Sequence, residues 1–363
     1  SGAAYVFIRS AGVWSQQAYI KPLNPWSNDY AVNDSFGWSV AISGETIVVG
    51  TSDVGVAYVF TRSGGVWSQQ AYLQASNVDV QGDRFGWSVA ISGETIVVGA
   101  PLEDSNATGV NGDGSDNSAI HAGAAYVFTR SAGVWSQQAY LKASNAEAHD
   151  EFGSSVAISG ETIVVGTPFE DSKSDGVNGD QSDNFAIQSG AAYVFSRSGG
   201  VWSQQAYIKP LNPWINDYAV NDLFGYSVAI SGETIVVGAE HEASNATGVN
   251  GDGSINSAEG AGAAYVFTRS GGIWSQQAYL KASNTERDDR FGWSVAISGE
   301  MIVVGALFED SNATGMNGDG SDNSAPYSGA AYVFSRSGGM WSQQAYLKAS
   351  NTGEHDFFGY SVA

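Results

Sequence analysis

The sequence predicts an all-β fold, and within that class a β-propeller built from four-stranded antiparallel blades. Three observations support this prediction. The motif Trp-Ser-Gln-Gln-Ala-Tyr occurs six times in the 363 residues, and an Ala-Tyr-Val-Phe motif precedes each copy. The 46 glycines are spread between short runs of Val, Ile, Tyr, Phe and Trp, which is typical of short strands joined by tight turns. No segment shows the period of an amphipathic helix.

Each repeat offers four strands in a fixed order. In the second complete repeat, the first strand is predicted over residues 85–92 and the second over residues 94–100, with a tight turn at Ser92-Gly93. The third strand is predicted over residues 123–130 and the fourth over residues 134–143. Each run is bounded by Gly, Ser, Asn or Asp. This order predicts an antiparallel meander.

The second strand predicts how the sheets pack. Its Ile96-Val97-Val98 run is apolar without interruption, so both faces of the strand must be covered. Stacking sheets face to face around an axis covers both faces and leaves only short edges. Gly86 would also let crowded inner strands approach each other. A straight β-solenoid is the competing architecture, but its coils are usually shorter than about 50 residues.

The repeats predict a single propeller domain over residues 1–363 with six blades. Residues 1–50 match residues 189–238 almost position for position, which indicates a duplicated three-blade unit. The sixth blade is predicted to combine residues 358–363 with residues 1–20 and to be incomplete, as in a truncated chain or a window cut from a longer array. The other blades are predicted over residues 36–74, 85–144, 152–211, 224–283 and 291–350.

The Phe-Gly pair that opens each first strand, and Gly99-Ala100-Pro101 at the end of a second strand, resemble the FG-GAP repeat. The resemblance spans essentially the whole chain, with six copies in phase. It implies the propeller of integrin α-subunits and of many bacterial and other extracellular proteins. Integrins bind calcium between the first and second strands, where this chain has only the short Ser92-Gly93 turn. The acidic loop of this chain lies between the second and third strands, as in the bacterial repeats that it most resembles.

Oxygen-bearing side chains alternate in the loop that follows Pro101. Asp104, Asn106 and Thr108 alternate there and Gly109 follows, which is typical of the opening of a calcium loop. Asp113 and Asp116 would complete this site. Two similar loops follow later in the chain. The predicted ligands of the first are Asp171, Asp175, Asp180 and Asp183, and those of the second are Asp310, Asn312, Thr314, Asp319 and Asp322. Hard oxygen ligands suit Ca2+ better than transition metals, so the sequence predicts Ca2+ as the cofactor.

Two features limit this calcium prediction. A fourth loop has Ala243 and Ile255 in place of its first and last Asp, and the connection in the first complete repeat shrinks to residues 51–54. Neither is predicted to hold a strong site. The competing interpretation is that all these loops are rich in Asx turns, in which Asn and Asp bond their own backbone.

Two Lys-Pro-Leu-Asn-Pro-Trp segments carry aromatic residues that the sequence places in loops. We predict that Trp26, Tyr30, Trp214 and Tyr218 are exposed and bind a ligand, because exposed aromatic rings beside polar groups suit protein or sugar contacts. The alternative is that these rings hold long loops against neighbouring blades. In a propeller, the fourth-to-first and second-to-third connections emerge on one face.

Composition excludes several classes of partner and chemistry. With 37 acidic and 15 basic residues the net charge is −22, which disfavours nucleic acid and anionic lipid. No apolar run reaches the roughly 20 residues that span a bilayer, so membrane insertion is not expected. The chain has no cysteine, which excludes disulfides and thiolate metal sites. It has no nucleophile elbow, phosphate loop or zinc-binding helix, so we do not expect an enzyme.

Together with these observations, the resemblance to the FG-GAP repeat implies an extracellular or cell-surface propeller, stabilised by calcium, that acts as a binding or adhesion module for a protein or glycan. The alternative is a structural protein: a subunit or tandem module of an extracellular filament or surface array, whose partners are copies of itself. The near-perfect repetition favours this alternative, since recognition usually makes blades diverge.

Overall fold

The strands of this protein form blade-like sheets. A computed structural model describes residues 2–23, 35–53, 55–77, 82–211 and 221–363. Within these ranges there are 22 strands and no helix, and hence no helix that could cross a membrane. The strands form five four-stranded antiparallel sheets and one two-stranded sheet. The predicted all-β fold with four-stranded antiparallel sheets is confirmed, and it is consistent with a propeller.

The chain divides into two compact units, one of residues 1–160 with 200–203 and the other of residues 161–199 with 204–363. The first unit begins with a two-stranded sheet of β1 (Ala4–Ser10) and β2 (Val13–Ile20). Its first four-stranded sheet contains β3 (Val40–Ser43), β4 (Thr46–Gly50), β5 (Ala57–Ser63) and β6 (Val66–Leu73). Its second contains β7 (Ser88–Ser92), β8 (Thr95–Ala100), β9 (Ala124–Ser131) and β10 (Val134–Leu141).

The remaining strands follow the same meander order. The third four-stranded sheet has the order β11 (Ser155–Ser159), β12 (Thr162–Thr167), β13 (Ala191–Ser198) and β14 (Val201–Ile208). The fourth contains β15 (Phe224–Ser231), β16 (Thr234–Ala239), β17 (Ala263–Ser270) and β18 (Ile273–Leu280). The fifth contains β19 (Phe291–Ser298), β20 (Met301–Ala306), β21 (Ala330–Ser337) and β22 (Met340–Leu347).

The second strand of each four-stranded sheet is the apolar centre that the sequence predicts. In β8, Ile96, Val97 and Val98 are fully buried, so both faces of the strand are covered. Ile96 lies opposite Phe128 of β9 in a ladder without a register shift. The first strand differs from the prediction in the first unit, where β7 begins at Ser88 instead of Phe85. The Phe85-Gly86 pair itself lies in a turn, which a hydrogen bond from the Trp87 backbone nitrogen to the Arg84 carbonyl oxygen closes at 3.0 Å.

Consecutive sheets within each unit pack face to face. In the first unit, one core cluster joins Val48 and Val59 of the β3–β6 sheet to Val89 and Ile91 of β7. The outer strands add a polar contact: the Trp135 indole donates a hydrogen bond to Gln70 of the preceding sheet at 3.2 Å. The equivalent contact in the second unit joins Trp341 and Gln277 at 3.0 Å. The repeated Trp and Gln therefore serve sheet-to-sheet packing.

The predicted sixth blade stays a prediction. Residues 1–20 contribute the β1–β2 hairpin, and residues 358–363 contain no strand, although Phe358 forms a parallel bridge with Gly329. In the hairpin Tyr5 is 56% exposed and Trp14 is 65% exposed.

A glycine near the end of each second strand marks the closest approach of two sheets. A Cβ added to Gly99 would lie 2.1 Å from the carbonyl oxygen of Gly153, which precedes β11 in the same unit. The equivalent Cβ at Gly238 would lie 2.0 Å from the Gly292 carbonyl oxygen. No side chain fits at such a distance from a backbone oxygen, so glycine is required there.

We predict that Gly99→Ala lowers the free energy of unfolding by about 3 kcal/mol or more, because the new methyl group forces neighbouring sheets apart. Gly82→Ala is the control, since a Cβ at Gly82 meets nothing within 4 Å. Chemical denaturation of both variants measures the effect. Equal stability of the two variants would contradict the close approach of the sheets.

Candidate functional site

The connections between the second and third strands are the largest loops that the structure describes. Four sheets have a long connection, over residues 101–123, 168–190, 240–262 and 307–329, whereas the β3–β6 sheet has only residues 51–56. The strands on either side of these loops are nearly identical in sequence. Differences between sheets are therefore concentrated in the loops.

A buried ion pair holds the base of the 101–123 loop. Lys142, directly after β10, donates from Nζ to Glu103 Oε2 at 2.8 Å and to the Ser105 carbonyl oxygen at 2.7 Å. The side chains of Lys142 and Glu103 are 0% and 2% exposed. Burial lowers the pKa of Lys142, and the attraction of Glu103 opposes this. The pair thus connects the end of the fourth strand to the start of the loop.

Neutral donors complete the coordination of the Glu103 carboxylate. The Tyr140 hydroxyl and the Asn77 amide each donate to Glu103 Oε1 at 2.8 Å. The Tyr126 hydroxyl in turn donates to Asn77 Oδ1 at 2.8 Å. Burial raises the pKa of both tyrosines, so they remain protonated donors at neutral pH. Satisfying every buried polar group in this way is what allows a charge to be buried here.

The same ion pair recurs in every sheet that has a long loop. Its other copies are Lys209–Glu170 at 2.8 Å, Lys281–Glu242 at 2.7 Å and Lys348–Glu309 at 2.6 Å. In the β3–β6 sheet, where the connection is short, Gln74 occupies the position of the lysine. The ion pair and the long loop therefore occur together, which indicates that the structural role of the pair is to anchor the loop.

The first predicted metal ligand of each loop bonds the end of its own loop. Asp104 Oδ1 accepts a hydrogen bond from the His121 backbone nitrogen at 2.8 Å. In the other two loops Asp171 and Asp310 accept in the same way, from the residues equivalent to His121, at 2.7 and 2.8 Å. These carboxylates therefore already have a structural role in closing the loops.

The structure brings some of the other predicted ligands together. Asn106 donates from its side chain to Asp116 Oδ2 at 2.8 Å, and from its backbone to the Asp116 carbonyl oxygen at 3.0 Å. The backbone nitrogen of Asn312 donates to the Asp322 carbonyl oxygen at 2.7 Å. Asp183 accepts from the Lys173 backbone nitrogen at 3.1 Å. The predicted ligands Thr108, Asp175 and Thr314 are exposed.

The remaining predicted ligands form Asx turns. Asp113 Oδ1 accepts from the Ser115 backbone nitrogen at 3.0 Å, and hydrogen bonds from the side chain and the backbone of Ser115 lower the pKa of Asp113. Asp180, Asp252 and Asp319 make the equivalent turns with the serines two residues later. Each turn uses one of the two carboxylate oxygens, so hard oxygen ligands of the kind that Ca2+ prefers remain on these side chains.

These contacts leave calcium binding as a prediction. Among the described residues, no group of three or more His, Cys, Asp or Glu side chains is arranged to hold a metal ion. Asx turns, the competing interpretation, are present in all four long loops. The four predicted aromatic ligand-binding residues, Trp26, Tyr30, Trp214 and Tyr218, lie outside the described residues.

Each long loop pairs with the connection that leads to the following sheet. The backbone nitrogens of His149 and Glu151 donate to the carbonyl oxygens of Ile120 and His121, at 2.8 and 3.0 Å. In the second unit His355 donates to the Pro326 carbonyl oxygen at 2.9 Å. Within each unit, these bonds place the two kinds of connection side by side at one end of the sheets, as far as the described residues extend.

Sequence reasoning missed the buried ion pair, although a signal for it was present. Glu103 and Lys142 recur at equivalent positions in four repeats, and both are missing from the repeat with the short connection. Residue types that appear and disappear together among near-identical repeats indicate a contact.

The comparisons with known proteins agree with the repeat pattern. A family model described as FG-GAP repeat matches residues 14–60, 67–128, 135–195, 202–267 and 274–334, which is most of the chain. No curated protein sequence matches the chain significantly.

Two solved structures match this chain to different degrees. A proposed 6-phosphogluconolactonase from Bacteroides uniformis is 12% identical, with a TM-score of 0.53 over 96% of this chain and 78% of that one. A complex of S. cerevisiae Dbp5 bound to Nup159, Gle1, IP6 and ADP contains a chain that is 10% identical, with a TM-score of 0.39 over 88% of this chain and 63% of that one. At 12% identity the first likeness concerns the fold alone. The second is too weak to indicate a shared fold.

We predict that Glu103→Gln lowers the free energy of unfolding by about 3 kcal/mol or more, because it leaves the Lys142 ammonium buried without its counter-ion. Glu94→Gln is the control in the same sheet. It breaks the Arg130–Glu94 ion pair, whose Glu94 side chain is 60% exposed, so we expect a loss of about 1 kcal/mol or less.

The double variant Glu103→Gln with Lys142→Met removes both buried charges and is expected to recover part of the lost stability. Denaturant unfolding of the variants completes the double-mutant cycle. Strictly additive effects of the two substitutions would contradict a direct ion pair.

Proposed function

The chain belongs to the FG-GAP repeat family, and from this we propose that it is an extracellular binding module of the propeller type and not an enzyme. Its sheets act as a rigid frame, and recognition takes place on the loops. Binding residues are generally found on loops that a rigid scaffold positions. The partner is a protein or a glycan.

The observation that carries this proposal is the anchoring of the loops. Each long loop is fixed at its base by a fully buried Lys–Glu pair and along its side by backbone bonds to the next connection. A loop that is ordered in the free protein loses less conformational entropy on binding. Such anchoring suits a surface that has to present a defined shape to a partner.

Charge restricts the partner. The net charge of −22 favours basic or neutral partners and disfavours nucleic acid and anionic membranes, because like charges repel at the surface. Acidic residues are frequent in the loops, as in the stretch from Glu103 to Asp116. The loop surface thus has the sign of charge that attracts cations and basic proteins.

One observation favours the structural alternative, in which copies of the chain assemble. The strands of the repeats are nearly identical in sequence, whereas recognition usually makes blades diverge. Light scattering separates the two functions, since a binding module remains one particle size and an assembling subunit grows with concentration.

We predict that glycan and protein arrays probed with the labelled chain show a defined set of binders. The signal is expected to fall by about tenfold or more when Trp26 and Trp214 are both replaced by Ala, because buried aromatic anchors dominate binding energy. Phe185→Ala is the control, since this exposed ring lies in a different loop. An array without any specific binder would contradict the proposed function.

We predict that calcium raises the melting temperature. At a tenfold excess of Ca2+ over its dissociation constant, each site adds about 1.4 kcal/mol to the free energy of unfolding. Asp104→Asn keeps the acceptor for His121 but removes a charged ligand, so it is expected to weaken the effect. Asp252→Asn in the loop with two missing ligands is the control.

Differential scanning calorimetry in Ca2+, in Mg2+ and in chelator measures this effect. The same melting temperature in all three solutions would contradict calcium binding. The recognition function would remain, since the Lys–Glu pairs hold the loops without metal.

A further inference from the structure

The near-identical repeats differ in chemical type at a few positions, and these positions come together at the loop surface. Around the end of the second unit they are all aromatic or histidine. We call this group the aromatic patch, and its members are Phe308, Tyr327, His355 and Phe357. The equivalents of Phe308, Tyr327 and Phe357 one repeat earlier are His241, Gly260 and Arg290. Divergence among otherwise constant repeats marks a surface that does not serve sheet packing.

The rings of the aromatic patch contact one another in a continuous cluster. The ring centroid of Phe308 lies 5.1 Å from that of Tyr327 and 5.9 Å from that of Phe357. Trp293, on the first strand of the same sheet, lies beside the patch with its ring centroid 6.3 Å from that of Phe308. Tyr327 and Phe357 are 41% and 37% exposed, so the cluster is open to solvent. Contiguous exposed aromatic surface of this kind is uncommon without a partner.

Carboxylates border the aromatic patch. Asp310 Oδ1 accepts a hydrogen bond from the Tyr327 backbone nitrogen at 2.8 Å, so its carboxylate lies beside this ring. Exposed Asp356 lies between His355 and Phe357 in the chain. The patch therefore combines ring faces, which carry partial negative charge, with nearby anionic groups.

The equivalent positions of the preceding repeat form ion pairs of their own. Arg290 contacts Glu240 at 3.3 Å and Asp288 at 3.8 Å, and Arg287 contacts Glu259 at 2.6 Å. These charges are neutralised within the chain. The aromatic patch has replaced this self-contained arrangement with rings that face solvent.

The first unit shows which group such a ring accepts. The Arg84 guanidinium lies over the Trp87 ring, with its central carbon 4.8 Å from the centroid. Trp87 is the counterpart of Tyr360, since each follows a Phe-Gly pair, and Arg84 is the counterpart of Phe357. At the aromatic patch, the position that supplies a cation in the first unit supplies another ring.

We propose that the aromatic patch binds a guanidinium or ammonium group on a basic segment of a partner protein. The proposal rests on the binding function proposed above and names the site and the partner chemistry. The ring faces attract the cation, and Asp310 and Asp356 add charge attraction from the border. The net charge of −22 steers a basic segment toward the protein. Neutral sugars gain nothing from this charge, so a basic partner fits better than a glycan.

The experiment is a calorimetric titration with a synthetic peptide in which arginine and glycine alternate. In physiological salt, we expect the double variant Tyr327→Ala with Phe357→Ala to bind the peptide about tenfold more weakly than the unchanged chain, because two cation–π contacts are lost. These substitutions leave the net charge unaltered, so a loss of affinity cannot come from weaker long-range attraction. Phe185→Ala, which removes a ring that is 78% exposed in another loop, is expected to bind as the unchanged chain does.

Two further variants keep the result independent of folding. Tyr327→Phe preserves the ring and is expected to retain binding, whereas Phe357→Ala alone removes one exposed ring and is expected to weaken it severalfold. Equal unfolding midpoints show that each variant is folded. Equal peptide affinity of the double variant and the unchanged chain overturns the proposal.

A second titration separates this proposal from the general binding function. Cellohexaose is used as a neutral sugar with the same set of variants. If the sugar binds at the aromatic patch and the arginine peptide does not, the cationic partner is wrong while the recognition function stands. Protein and glycan arrays without any binder contradict the recognition function itself.

Discussion

Burial of both faces of the second strand is the constraint on which the rest of this structure depends. Val97 and Val98 are adjacent in β8 and therefore point to opposite faces, yet both are completely buried. Apolar side chains on two faces can only be covered by a sheet on either side, and Gly99 lets the next sheet come within contact of the backbone. Because each sheet face is covered by a neighbouring sheet, the sequence can vary mainly in the connections at the ends of the strands.

The buried Lys–Glu pair solves a second problem, which is how a long polar loop stays attached to an apolar sheet. Removing Lys142 and Glu103 from water is unfavourable, and the pair is tolerated because Tyr140 and Asn77 complete the bonds of the carboxylate. An isolated ion pair at this depth would contribute little to stability by itself. Its value lies in geometry, since it fixes where each loop starts relative to the fourth strand.

The sheets could be predicted well from the sequence, because each near-identical repeat has the same pattern of buried and exposed residues. The Ile96-Val97-Val98 run gave the buried strand directly, and the turn at Ser92-Gly93 gave the pairing of first and second strands. The start of the first strand was less predictable, since the Phe-Gly pair opens β15 and β19 but lies in a turn before β7. Loop chemistry was the hardest part. The alternation of Asp104 and Asn106 fits both metal ligands and Asx turns, and only tertiary contacts distinguish how each oxygen is used.

The short connection of the β3–β6 sheet has a consequence for how this chain can change. That sheet folds with residues 51–56 in place of a long loop and with Gln74 in place of the lysine, so the strands do not need the loop. In every sheet with a long loop, the base of the loop is held by the same buried lysine–glutamate pair, although the residues inside the loop differ. A loop can therefore be exchanged between sheets as a cassette together with its lysine, and the chain can acquire new surfaces without redesigning its frame.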